Sequence, residues 1–236
     1  MSTPYFHFRQ FSITQDKAAM KISTDGVLLG AVCAFDGANR ILDIGAGTGL
    51  ISLMAAQKSN AEITAVEIDK DAYYQAKENV EKSKFASRIK VLHGDFLHLY
   101  NNSTDKFDYI VSNPPFFRNS LKNNDKGRSI ARHEDALPFN RMLPVVSRIL
   151  SYGGTFSVII PESERLYFVR LGIANGLHLC RKIVVKSFKE SEPQRVILSF
   201  SNIIKPMKQD TVVIYASQGI YTEQFKTITK DFYLNV

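Results

Sequence analysis

The feature that most constrains the fold is a regular alternation of apolar runs and amphipathic stretches, which begins at residue 40. Short runs such as RILDIG, EITAVEID and FDYIVS have the composition of buried strands. Stretches such as GLISLMAAQKS have the spacing of helices that bury one face. When helices separate the strands, each helix returns the chain to the same end of the sheet, so the strands run parallel. The alternation predicts an α/β fold with a mostly parallel sheet and helices on both faces.

The C-terminal part of the chain departs from this alternation. The runs QRVILSFS and DTVVIYAS follow each other with no helical stretch between them, which predicts an antiparallel edge on a seven-stranded sheet. The stretch YTEQFKTITKDFYL is predicted to form a terminal helix. Because no repeat, low-complexity tract or linker interrupts the pattern, residues 1–236 are predicted to form a single domain.

Cysteine usage and hydropathy predict the compartment. Cys33 and Cys180 both lie in apolar surroundings without metal-type spacing, and both are predicted to be small buried core residues. No apolar run reaches the roughly 20 residues that span a bilayer, and the N-terminus lacks a secretion pattern. These features predict a cytoplasmic protein that is not associated with a membrane.

The stretch LDIGAGTGL places three glycines directly after the first strand of the alternation. Leu50 occupies the position where the dinucleotide fingerprint G-x-G-x-x-G requires a further glycine, so the sequence does not match the NAD-binding fingerprint. The pattern D-x-G-x-G-x-G instead resembles motif I of methyltransferases that use S-adenosylmethionine (SAM). Two acids, Glu67 and Asp95, follow at the ends of the next two predicted strands, which supports the same interpretation.

The resemblance to motif I implies SAM as the cofactor and assigns roles to individual residues. Asp43 faces the ammonium group of the methionine part, and Glu67 accepts both ribose hydroxyls. Further cofactor contacts are implied at the strand tips and in the glycine loop: Gly45, Gly47, Asp95, Phe96 and Asn113. Either Asp95 or Phe96 meets the adenine ring. The five histidines show no ligand spacing, so no metal is predicted.

The stretch VSNPPFF, residues 111–117, ends the fourth predicted strand with two prolines. It resembles the N-P-P-[YFW] signature of amino-methylating methyltransferases, with Phe116 at the aromatic position. The side-chain oxygen of Asn113 and the carbonyl of Pro114 can accept the two N–H groups of a planar amine, while Phe116 and Phe117 offer flat faces for its ring. The simpler alternative is a strand terminator with two core phenylalanines.

The flanking sequences resemble the bacterial tRNA(Val) adenine-N6 methyltransferase family. The similarity rests on FHFRQFSITQDKAAMKISTDGVLLGA, GRSIARHE and VVIYASQGIYTEQFKTITKDFYL together with NPPF. It implies a Rossmann-like class I methyltransferase fold, tRNA as the partner, adenine 37 as the target and a monomeric enzyme. Guanine N2 of ribosomal RNA, a protein glutamine, and a catalytically silent RNA-binding protein remain open as alternatives.

The same resemblance implies roles for two further segments. Residues 1–39 close the cofactor and substrate site, with Thr24 and Asp25 as contacts; alternatively, one of these two caps the helix GVLLGAVCAF. Residues 118–135 form a basic substrate loop, in which three side chains meet RNA phosphate or gate the pocket: Arg128, Arg132 and His133. A solvated basic loop without such contacts is the alternative.

The charge of the chain also favours an anionic partner. The formal net charge is +7 and the pI is about 9.3. A second basic segment lies between residues 181 and 208. It contains seven basic residues (Arg181, Lys182, Lys186, Lys189, Arg195, Lys205 and Lys208) and two acidic ones (Glu190 and Glu192).

Overall fold

The computed structural model describes residues 5–18, 21–115 and 138–234. The strands in these ranges are β1 (Tyr5–His7), β2 (Ser12–Thr14), β3 (Arg40–Ile44), β4 (Glu62–Glu67), β5 (Ile89–His93), β6 (Phe107–Ser112), β7 (Leu150–Pro161), β8 (His178–Lys186), β9 (Arg195–Ser201), β10 (Lys208–Val213), β11 (Tyr215–Ser217) and β12 (Ile220–Tyr221). The helices are α1 (Thr24–Val32), α2 (Leu50–Lys58), α3 (Lys70–Glu81), α4 (Phe96–Tyr100), α5 (Phe139–Ile149), α6 (Arg165–Ala174) and α7 (Glu223–Thr229), with short 3₁₀ turns at Ala86–Arg88 and Glu162–Glu164.

One sheet organises the molecule, with the strand order β10-β8-β9-β7-β6-β3-β4-β5. The pairs β3–β4, β4–β5, β3–β6, β6–β7 and β8–β10 are parallel. Only β9 runs against its neighbours β7 and β8. The predicted α/β class with a mostly parallel sheet is therefore confirmed, and the carboxyl ends of β3, β4, β5 and β6 meet at one edge of the sheet.

The expected seven strands and antiparallel edge require correction. The described sheet has eight strands, and the antiparallel strand β9 is in its interior. QRVILSFS and DTVVIYAS do run in opposite directions, but β8 lies between them, and β10 pairs in parallel with β8 at the edge. The short segment between β9 and β10 crosses over the end of β8, which no local sequence pattern reveals.

The two faces of the sheet carry separate cores, as the predicted two-sided helix layers require. One core contains side chains of α1, α2, α3 and α7, with the fully buried Phe35 and Phe225 among them. The other contains side chains of α4, α5 and α6, with the fully buried Phe156 and Phe168. Burying large apolar side chains on both faces is the main stabilising contribution.

The N-terminal segment is a hairpin, β1–β2, that the sequence pattern did not reveal. Arg9 donates its backbone N–H to the carbonyl of Phe232 (2.8 Å), which ties the hairpin to the C-terminal part of the chain. On its other side, Asn79 of α3 exchanges two hydrogen bonds with the backbone of Thr14 (2.8 and 2.9 Å). These contacts fix the path of the chain that leads into α1.

Candidate active site

The glycine loop between β3 and α2 leaves open space at the carboxyl edge of the sheet. Gly45, Gly47 and Gly49 all have positive φ (73°, 56° and 82°), a conformation that side chains disfavour. A Cβ added at Gly45 or Gly47 would meet no atom within 4 Å. Because the N–H groups of Gly45 and Ala46 both donate to the carbonyl of Val66 (2.9 and 3.0 Å), the loop is fixed against β4.

Asp43, near the end of β3, is fully buried. Its Oδ2 accepts a hydrogen bond from the Ser52 hydroxyl (2.7 Å), whereas Oδ1 has no partner among the described residues. Burial raises the pKa of Asp43 to about 7, and the nearby charge of Glu67 adds to this effect. An unpartnered, buried carboxylate oxygen is costly by itself and is suited to a cationic group.

Glu67, the last residue of β4, is almost completely buried. Its Oε2 accepts a hydrogen bond from the N–H of Gly47 (2.7 Å), and its Oε1 accepts one from the N–H of Asp69 (2.9 Å). A carboxylate has about four acceptor sites, so two remain available for hydroxyl groups. The predicted ribose acceptor therefore also holds the glycine loop in place, a role that the sequence analysis missed.

At the end of β5 the structure separates the two residues that were predicted as alternatives for the adenine contact. Asp95 caps α4, because its Oδ1 accepts a hydrogen bond from the N–H of Leu97 (2.8 Å). Phe96 is only 4% exposed and packs in the core with its ring 5.6 Å from that of Tyr100. Ile68, which follows β4 at the same edge, is an exposed apolar side chain, at 59% exposure. Ile68 is an isolated apolar residue between Glu67 and Asp69, directly after a strand, and this pattern could have indicated an exposed apolar side chain beside the predicted cofactor site.

Asn113 and Pro114 follow β6 at the same edge. The Ser112 hydroxyl donates to the carbonyl of Ile44 (2.9 Å), which fixes the end of β6 to the end of β3. Asn113 is partly exposed and Pro114 is buried. A Cβ added at Gly26 would lie 3.5 Å from Nδ2 of Asn113, so the first turn of α1 lies directly against the predicted acceptor site.

The first turn of α1 is capped by a residue that was not expected to cap it. Ser23 is the N-cap, because its hydroxyl accepts a hydrogen bond from the N–H of Gly26 (3.2 Å), so capping by Thr24 or Asp25 is wrong. Asp25 instead forms an ion pair with Arg195 at the start of β9 (Oδ2 to Nε, 2.8 Å). Both side chains are about one quarter exposed. This ion pair connects α1 to the sheet beside Asn113.

Several other expectations have limited or no structural counterpart. Five predicted substrate residues lie outside the described residues: Phe116, Phe117, Arg128, Arg132 and His133. Cys33 is buried as predicted, but Cys180 is only half-buried, so the prediction for it is wrong. Burial raises the pKa of both thiols, which disfavours a nucleophilic role.

Over residues 5–18, 21–115 and 138–234, no group of three or more His, Cys, Asp or Glu side chains is arranged to hold a metal ion. Within the same ranges, no helix is both long and apolar enough to cross a bilayer.

Comparison with known proteins gives closely similar relatives over the whole chain. Residues 25–160 match the family model "Methyltransferase small domain". A tRNA1(Val) (adenine(37)-N6)-methyltransferase from Phocaeicola vulgatus is 46% identical over 236 residues and covers 100% of both chains. A protein of the same name from Flavobacterium johnsoniae is 43% identical over 234 residues, covering 98% of this chain and 100% of its own.

Solved structures support the fold. A predicted O-methyltransferase from Agrobacterium tumefaciens superposes with a TM-score of 0.68 at 19% identity, covering 88% of this chain and 96% of its own. TYW2 from P. horikoshii, in complex with MeSAdo, superposes with a TM-score of 0.57 at 17% identity, covering 83% and 69%. At these identities the likeness establishes a Rossmann-like methyltransferase fold and nothing finer.

The enzyme is a SAM-dependent methyltransferase, and its described residues fit that cofactor. The unpartnered oxygen of Asp43 suits an ammonium group, the free acceptor sites of Glu67 suit hydroxyls, and the space beside Gly45 and Gly47 admits a ligand. With a family model matched over more than half of its length and relatives above 40% identity over nearly all of it, the chain belongs to the methyltransferase small-domain family, among the tRNA1(Val) (adenine(37)-N6)-methyltransferases.

Proposed function

We propose that the protein transfers a methyl group from SAM to the exocyclic N6 amine of an adenine in tRNA, at position 37 of tRNA(Val). The observation that carries this proposal is the position of Asn113 and Pro114, at the end of β6 and against the first turn of α1. Relatives above 40% identity over their full length, all with this activity in their names, support the choice of adenine.

The residues at the ends of β3 and β4 bind and orient the cofactor. Asp43 holds the ammonium group, and Glu67 accepts the ribose hydroxyls while it keeps Gly47 in place. SAM supplies a methyl group that is already activated by its positive sulfonium, so the protein contributes mainly binding and alignment. Asp95 or Phe96 meets the adenine ring, and Ile68 offers a further exposed apolar surface at this edge.

Asn113 and Pro114 hold the acceptor amine. The lone pair of an adenine amine is delocalised into the ring, so the nitrogen is a poor nucleophile. The side-chain oxygen of Asn113 and the carbonyl of Pro114 accept its two N–H groups, which favours a tetrahedral nitrogen with a free lone pair. Two consecutive prolines fix these oxygens before the substrate arrives, which is electrostatic preorganisation. The proton becomes acidic once the nitrogen carries the methyl group, and it then leaves to water.

The remaining substrate contacts are part of the same proposal. Phe116 and Phe117 stack on the target base. Three side chains of the loop 118–135 contact phosphate groups of the RNA: Arg128, Arg132 and His133. Residues 1–39 close the site, with Thr24 and Asp25 as cofactor contacts. We further propose that residues 1–236 act as a single domain, as a monomer and in the cytoplasm.

The test is nucleoside mass spectrometry of tRNA from a strain that lacks the gene. Loss of N6-methyladenosine from the tRNA fraction, restored by the wild-type gene and not by Asn113→Ala, is the expected result. An unchanged N6-methyladenosine content refutes the proposal. Loss of N2-methylguanosine from ribosomal RNA, or of methylglutamine from a protein, would instead assign the same chemistry to another amine.

A further inference from the structure

The basic side chains of the segment between residues 181 and 208 differ in whether a carboxylate of the protein neutralises them. Two arginines form ion pairs, Arg181–Asp210 (3.2 Å) and Arg195–Asp25 (2.8 Å). Two lysines donate a hydrogen bond to a backbone carbonyl, Lys205 to Gly153 (2.7 Å) and Lys186 to Lys189 (3.2 Å). Neither Lys182 nor Lys186 forms an ion pair with any described residue, so no carboxylate neutralises their charges there.

Lys182 and Lys186 project from one face of β8. Ile183 and Val185, which alternate with them, are buried in the core beneath α1, so the two lysines point to the opposite face. Six residues of β8 and β10 share that face in register: Lys182, Val184 and Lys186 beside Gln209, Thr211 and Val213. We call this surface the β8–β10 face.

The helix layer ends before it reaches the β8–β10 face. The core beneath α5 and α6 includes Val196 and Leu198 of β9, whereas all six residues of the β8–β10 face are partly or fully exposed. The face carries two ammonium groups and no carboxylate. Asp210 points to the other side with its partner Arg181, and the acids Glu190 and Glu192 belong to the loop between β8 and β9.

We propose that the β8–β10 face docks the phosphate backbone of the tRNA substrate; this rests on the function proposed above. The basic and polar side chains of this open sheet face complement a polyanion. Lys182 and Lys186 contact phosphate groups, and Gln209 and Thr211 donate hydrogen bonds to phosphate oxygens.

The position of the face fits a substrate whose base enters beside Asn113. β8 runs in the same direction as β6, so Lys186 lies at the edge of the sheet that carries Asn113. Three strand spacings separate β8 from β6, so the two strands lie about 14 Å apart. Phosphates a few nucleotides from the target base therefore come within reach.

A second copy of the chain is a poorer occupant. Gln224 of α7 covers the outer edge of β10, because it accepts a hydrogen bond from the N–H of Val213 (3.1 Å) and donates one to the carbonyl of Thr211 (2.8 Å). Edge-to-edge pairing of two sheets needs these same backbone groups. Two identical basic faces also repel each other.

The test measures the affinity of the full-length protein for an unmodified tRNA(Val) transcript as a function of salt. For Lys182→Gln/Lys186→Gln we expect the Kd for tRNA to rise about tenfold at low salt. The slope of log K against log salt concentration should decrease by roughly one to two, since each phosphate contact contributes about 0.7–0.9. The Kd for SAM should stay unchanged, which shows that the protein remains folded.

The matched control is Lys84→Gln/Lys90→Gln, which removes two exposed charges beside the opposite edge of the sheet. We expect this control to retain the wild-type salt slope, and Lys182→Arg/Lys186→Arg to restore most of the affinity. An unchanged slope in Lys182→Gln/Lys186→Gln, or an equal loss in the control, overturns the proposal. A concentration-dependent dimer in sedimentation that this double variant abolishes would instead assign the face to self-association. If the wild type does not methylate the transcript at all, the proposed function fails rather than the docking surface.

Discussion

The two halves of the carboxyl edge differ in how their polar groups are held. In the cofactor half, at the ends of β3 and β4, hydrogen bonds already fix Glu67 and the backbone of the glycine loop. In the acceptor half, at the end of β6, Asn113 makes no hydrogen bond to another described residue and is positioned by Pro114 and the close approach of Gly26. The proposed function assigns cofactor binding and acceptor activation to separate residues, so substitutions should affect the two separately.

The largest expected effect is that of Asn113→Ala in the acceptor half. Removing one preorganised hydrogen-bonding group from an active site lowers kcat by about 10²–10³-fold. We expect a loss of that size for tRNA methylation, because the amine loses one of its two acceptors. Radiolabelled methyl transfer measures kcat, and calorimetry should show an almost unchanged Kd for SAM. Asn101→Ala, at the exposed end of α4, is the control and should keep full activity. Full activity of Asn113→Ala would contradict the division into two halves.

The next largest effect is expected for Glu67→Gln in the cofactor half. Hydrogen bonds to charged groups contribute about 1.5–3 kcal/mol each, and this carboxylate receives two from the backbone. The amide places an NH₂ group against one N–H donor, so we expect the Kd for SAM to rise about 10–100-fold and Tm to fall. At saturating SAM, kcat should change by only a few-fold.

Glu62→Gln, at the exposed start of the same strand, is the control for this prediction and should alter neither the Kd for SAM nor Tm. A fall in kcat at saturating SAM as large as the rise in Kd would show that the two halves are not separable.

Gly26→Ala examines the contact between α1 and Asn113. The added Cβ would lie 3.1 Å from Leu50 Cδ2 and 3.5 Å from Asn113 Nδ2, which displaces the acceptor site slightly. A displacement of about 1 Å can reduce activity by up to 10²-fold, and we expect a decrease in kcat of about tenfold. Tm should not fall, because alanine favours a helix by about 1 kcal/mol over glycine.

Gly30→Ala provides the contrasting control one turn further along α1. Its Cβ would lie 2.6 Å from Met54 Sδ, so we expect a lower Tm with nearly unchanged kcat. If Gly26→Ala and Gly30→Ala change kcat and Tm to the same extent, the contact between the first turn of α1 and Asn113 does not affect the position of the acceptor site.

The smallest expected effect is a pH dependence that belongs to the cofactor half. The pKa of Asp43 is about 7 in the folded protein, above its ordinary value of 3.8. Because the pKa of Asp43 is higher in the folded than in the unfolded protein, binding of a proton to Asp43 stabilises the fold. This stabilisation is fully present below the unfolded pKa and is lost as pH rises through the folded pKa. Without SAM, Tm of the wild type should therefore decrease between pH 5 and pH 8 by a few degrees more than Tm of Asp43→Asn.

SAM should reverse this trend, because its ammonium group favours the ionised carboxylate. Thermal melts of both proteins with and without SAM measure the effect, and groups that titrate in both proteins cancel in the difference. An identical pH dependence of wild type and Asp43→Asn would show that Asp43 stays ionised throughout this range.

Local patterns in the sequence were sufficient to locate the strand ends that carry the proposed site residues. Asp43, Glu67 and Asn113 each follow or end an apolar run, and parallel strands place such positions at one edge. Phe96 illustrates the limit of this reasoning. Its proximity to Asp95 suggested a ligand contact, but the short helix α4 turns its ring into the core against Tyr100, while Ile68 remains exposed.

The sequence by itself determined the fold class, the glycine loop and the residue types for SAM and amine chemistry. These depend on short-range spacing and on the period of apolar residues. Only the tertiary structure decided that β9 lies inside the sheet, that Asp25 pairs with Arg195, and that Lys182 and Lys186 share an open face. These features arise from pairing between residues far apart in the chain, where packing over the whole sheet, rather than local preference, sets the free energy.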